Sequence, residues 1–73
     1  MNLDLTEKIE SLNAEKTRIE RILSRQMEIK KRRPEYEFDI KNHPLNLMHA
    51  LAFYENEIQK LQKLQNSISN NYN

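Results

Sequence analysis

No glycine occurs anywhere in the 73 residues. That absence limits the fold more than any residue that is present. Glycine supplies the positive-φ positions on which tight turns and bulges rely, and short strands are joined by turns of that kind. The phosphate-cradling loops of mononucleotide and dinucleotide sites need it as well. What remains is a chain that reads as helix, punctuated by its only prolines, Pro34 and Pro44.

The first helix is expected over residues 5–31. Asp4 is placed to cap it, with Glu7 three residues later as in a capping box. Leu5, Ile9, Leu12, Ile19 and Leu23 fall at alternating steps of four and three, the spacing of one apolar seam. Ile22, Met27 and Ile29 widen that seam near its end. Lys16 and Gln26 interrupt it, and Lys16 is expected to lay its methylene stem on the core and turn its amine outward. Pro34 stops the helix, since the residue before a proline is biased away from αR.

The connector, residues 32–43, contains Tyr36, Phe38 and Ile40, too apolar for a solvated loop and expected to pack over the end of the hairpin around one irregular turn. Pro44 favours a first helical turn, with Asn42 or His43 as cap, and the second helix is expected over residues 44–68. Leu47, Leu51, Tyr54, Ile58 and Leu61 repeat the four-three spacing, with Ile68 further on and Gln65 in register. Residues 69–73 read as a frayed polar tail. Two long helices joined by a short connector define an all-α, antiparallel, coiled-coil-like two-helix hairpin spanning 1–73 as a single unit.

A chain of this length builds only a modest core. It has no cysteine to staple it, and no Cys/His cluster for zinc. The start, "MNLDLTEKIE", is too polar and acidic for a secretory signal, and no apolar run approaches the roughly 20 residues of a membrane span. A cytoplasmic location without membrane insertion is the expectation.

Net charge is +1, but it is unevenly spread. Residues 1–20 carry −2, residues 21–33 carry +5, residues 34–41 carry −2, and the remainder balances. The run Lys30–Arg33 is a possible phosphate contact, yet bases are favoured at a helix C-terminus and Glu35, Glu37 and Asp39 follow at once. The bases do not read as a stripe along one helix face, so a nucleic-acid partner is the weaker expectation.

The stretch "HPLNLMHALAFYENEI" poses the functional question. At about 100° per residue, Leu45, Met48 and Ala52 lie on the side opposite the Leu47–Leu51–Tyr54 stripe, flanked by His49 and Phe53. Further along, that side becomes Asn56, Gln59 and Lys63. The early part of the second helix is therefore apolar on two sides, and a hairpin has no third layer to cover the second. Either the Tyr36–Ile40 connector folds back over Leu45–Phe53, or a second copy or a different protein packs there, and the two can hold together in part.

Catalysis is not indicated. His43 and His49 are on different helix faces, and no nucleophile and base stand at a productive spacing. Asp39 and His43 could meet across one turn, where capping is the simpler role. Glu55 and Glu57, like Glu35 and Glu37, project apart. No cofactor or metal is implied.

Within "EYEFDIKNHPLNLMHALAFYENEI", the tyrosine connector leading into "LMHALAFY" resembles the small co-chaperones of type III secretion needle subunits, the YscE/PscE-like family. The resemblance covers most of the chain as a pattern: a long polar first helix, a short tyrosine-bearing connector and an apolar second helix. The sequence departs from that pattern in placing Pro44 near the start of the second helix. The resemblance implies a hairpin that binds and stabilises a larger tetratricopeptide-like chaperone, the two keeping a needle subunit unpolymerised in the bacterial cytoplasm. Carried over by pattern, the contact positions lie in the Leu45–Phe53 segment. The alternatives are a homodimeric hairpin regulator forming a four-helix bundle, with or without nucleic-acid binding, and a phosphorelay hairpin, whose polar motif on the second helix has no counterpart here.

Overall fold

The structure is a computed structural model that describes residues 5–70. Two α-helices make it up, α1 over Thr6–Arg32 and α2 over Pro44–Asn70, and the described residues include no strand. The helices are antiparallel: Leu5 at the start of α1 meets Gln65 late in α2, and Lys16 meets Glu55 midway. The chain has a radius of gyration of 16.9 Å, whereas a compact globule of this length would have about 11 Å. The molecule is a rod, 58 × 16 × 15 Å, and a rod exposes most of its side chains.

Each helix runs 27 residues, about 40 Å. Asp4, expected as the cap of α1, lies outside the described residues. Leu5 occupies the N-cap position without a capping side chain; instead its N–H donates to Gln65 Oε1 at 3.1 Å. A side chain of the other helix thus satisfies the donor that the third-residue carboxylate or amide of a capping box would otherwise take. At the far end Arg33 has φ −129° and ψ 89°, the extended conformation that the ring of Pro34 imposes on its predecessor. The expected tail is corrected at residues 69 and 70, which continue α2: nothing after Ile68 is a proline or glycine that would break the i→i−4 ladder. Residues 71–73 lie outside the described residues.

Of the ten expected core positions, Ile19, Leu47 and Ile58 are buried, each 6% exposed. Leu5, Ile9, Leu12, Leu23, Leu51, Tyr54 and Leu61 are half-buried, because two cylinders cover one another along a single line. Lys16 behaves as expected, its stem half-buried and its amine 3.4 Å from Glu55. Gln26 and Met27 do not. Gln26, read as an interruption of the seam, is buried, whereas Met27, read as widening it, is exposed.

The connector explains the burial of Gln26. Tyr36 turns back over the end of the seam and its hydroxyl donates to Gln26 Oε1 at 2.7 Å, satisfying a polar group that is otherwise costly to bury. Lys30 Nζ donates to the Tyr36 carbonyl at 2.6 Å and stands 5.7 Å over the Phe38 ring. Phe38 meets Tyr36 and His43 edge-on at 5.6 and 5.5 Å. Two turns shape this end. One has Pro34 in its second position, closed by Tyr36 N–H to Arg33 O; the other is closed by Asn42 N–H to Asp39 O and His43 N–H to Ile40 O. Ile40 corrects the expectation that all three connector apolars pack inward: it is 82% exposed. Its carbonyl, held by Asn46 Nδ2 and His43 N–H, fixes the backbone there.

Candidate protein-docking surface

Helix α2 starts where this cluster ends. His43 Nδ1 accepts the Leu45 N–H at 3.2 Å, so His43, not Asn42, caps the helix by a side chain. Asp39 takes part through its backbone carbonyl. With the first turn pinned, Leu47 points into the seam and its neighbours point out.

Leu45 is 62% exposed, Met48 55% and Phe53 60%, and His49 and Ala52 are exposed beside them. The five candidate residues therefore occupy the outward side of the first three turns of α2. The connector does not fold over them: Tyr36 and Phe38 are committed to Gln26, Lys30 and His43. That alternative reading is corrected, for the physical reason that a buried glutamine and a half-buried lysine draw the aromatic side chains to the end of α1.

The three large side chains leave roughly 300–400 Å² of apolar surface in water, within the span of a monomer's largest patch, which is often functional. Covering it would contribute about 8–10 kcal/mol gross, against about 4–15 kcal/mol for the freedom lost on association. A partner must therefore also engage the polar flank to bind tightly. Phe53 stacks edge-on with Tyr54 at 5.6 Å, which gives its ring a defined face. Leu64, half exposed, lies eleven residues beyond Phe53 and so on the same side of the helix. The eleven-residue spacing is its signal in the sequence, masked because the same side carries Asn56 and Lys60 in between.

No group of histidine, cysteine, aspartate and glutamate that could hold a metal occurs among the described residues. Glu55 and Glu57 engage Lys16 and Lys60 separately. Of the basic run, Lys30 is held within the connector cluster and Arg32 pairs with Glu28 at 3.3 Å. One expectation about charge is corrected: bases do share a face, since Arg18, Arg21 and Arg25 line a single groove on the outer side of α1. None of the described helices is long and apolar enough to cross a membrane.

This geometry defines an all-α helical hairpin with an apolar outward patch on α2. No protein-family model, curated protein or solved structure matches the chain.

Proposed function

We propose that the chain is a non-enzymatic interaction module that docks on a larger helical protein through Leu45, Met48, His49, Ala52 and Phe53. In the specific form implied by its resemblance, it is a cytoplasmic co-chaperone: it stabilises a tetratricopeptide-like chaperone, and the complex keeps a secretion needle subunit from polymerising. One observation carries the docking reading. Three large apolar side chains stand in water on a helix whose opposite side already fills the hairpin seam. A chain with so thin a core gains stability by mass action from anything that binds only its folded form.

The test is co-expression with the candidate chaperone and needle subunit, followed by affinity capture and mass spectrometry. The wild-type chain should retain a stoichiometric helical-repeat chaperone. Leu45→Asp with Met48→Asp should lose it while circular dichroism stays at the wild-type level. Undiminished retention by that variant would remove α2 as the docking element. Capture of the needle subunit without a chaperone would overturn the co-chaperone form alone.

A further inference from the structure

The outward face of α1 carries a pattern that neither the seam nor the α2 patch uses. Ala14 stands at its centre, with Glu10 and Glu7 four and seven residues before it and Arg18 and Arg21 four and seven residues after it. Steps of four and seven keep residues on one side of a helix. Ser11 and Thr17 stand three residues to either side. Glu7, Glu10, Ala14, Arg18 and Arg21 are all exposed, and the groove of about 590 Å³ along this face is lined by α1 residues alone. Arg18 meets Glu15 of its own helix at 2.9 Å. Among the described residues no ion pair reaches Glu7, Glu10, Arg21 or Arg25.

Turned end over end about Ala14, this face places its acids on its bases. Such self-complementarity is what an isologous two-fold contact requires. We propose that a second copy of the chain packs here, α1 against α1 and antiparallel, with the axis passing beside Ala14. Glu10 then lies opposite Arg18 of the other copy, and Glu7 opposite its Arg21. Each pair occurs twice, and Ser11 faces Thr17. Alanine at the crossing lets the backbones approach within the 8–10 Å usual for packed helices, and Ile22 and the arginine stems supply apolar contact. A polyanion would meet the arginines but also the two unpaired glutamates in line with them, whereas a second copy answers both. Exposed ion pairs are individually weak and screened by salt, so the dimer is a weak, salt-sensitive one. It leaves both α2 patches facing outward.

Sedimentation of the full chain should show a monomer–dimer equilibrium whose dissociation constant rises about tenfold or more from low to high salt. Glu7→Arg with Glu10→Arg makes the four paired positions all basic, and Arg18→Glu with Arg21→Glu makes them all acidic, with Arg25 left as the one base in the groove. Each double variant alone should be monomeric, and their mixture should restore a one-to-one dimer. If either loses helicity, Glu10→Arg and Arg18→Glu form the same swap with one change each. Leu45→Asp with Met48→Asp should leave self-association unchanged, which separates this contact from the docking surface. The proposal is overturned by a wild-type chain that stays monomeric, by a swapped mixture that fails to pair, or by a dimer that only the α2 variant disrupts. Binding of a fluorescent single-stranded oligonucleotide to a monomeric chain, lost on Arg18→Glu, would assign the face to a polyanion instead.

Discussion

The outward faces of the two helices are unlike in almost every respect, although both helices have 27 residues and contribute to the same seam. The outer side of α1 is charged, acids before Ala14 and bases after it, with a single small residue at the centre. The outer side of α2 is apolar for its first three turns and, from Asn56 on, polar except for Leu64. A two-helix hairpin needs only the inner stripes, so neither outward pattern serves the fold. Charge arranged in blocks selects a partner by electrostatic register and gives little affinity. Apolar surface gives affinity with little directional preference. One rod thus offers two separable kinds of contact, about half a helical circumference away from its own core.

The sharpest way to break this comparison is to exchange inside for outside on α2. Leu47→Ala should cost about 2–3 kcal/mol, a large part of the few kcal/mol that so small a core supplies. Leu45→Ala, two residues away, should stay within about 0.5 kcal/mol. Urea titrations followed by circular dichroism would compare them. Similar losses at both positions would mean that Leu45 is covered in the free chain.

A smaller effect is expected at the connector. Tyr36→Phe removes the hydroxyl that Gln26 Oε1 accepts and should destabilise by about 1–3 kcal/mol, because the amide oxygen is left buried without its donor. Gln26→Leu in the same background should recover part of that loss, and a double-mutant cycle reads the coupling. Additive effects would show that the aromatic cluster is not what seals the seam. The smallest effect concerns the only interhelical ion pair among the described residues, Lys16 with Glu55. Glu55→Gln should change stability by less than about 1 kcal/mol at low salt. Lys16→Met should be neutral or slightly stabilising, since the buried stem is kept and no amine has to be solvated.

Much of the fold was legible in the chain. Pro34 and Pro44 placed the helix ends to within a residue where they apply, and the four-three spacing picked out Ile19, Leu47 and Ile58, the buried apolar side chains. Legibility stopped where one part of the chain acts on another. Gln26 looked like a defect in the seam because the hydroxyl that satisfies it is ten residues away in a loop. Ile40 looked like Phe38, yet only Phe38 has Lys30 and His43 to meet. On α1 the adjacent run Lys30–Arg33 is what stands out along the chain, whereas Arg18, Arg21 and Arg25 share a face only at helical spacing.

The sequence alone determined two helices, their antiparallel pairing and the outward apolar residues of α2, because helical periodicity and proline stereochemistry act over one or two turns. Only the tertiary structure decided which seam residues are sealed and that the connector leaves Leu45, Met48 and Phe53 in water. Those outcomes depend on where a loop's side chains find partners across the seam, a long-range matter that no local spacing encodes.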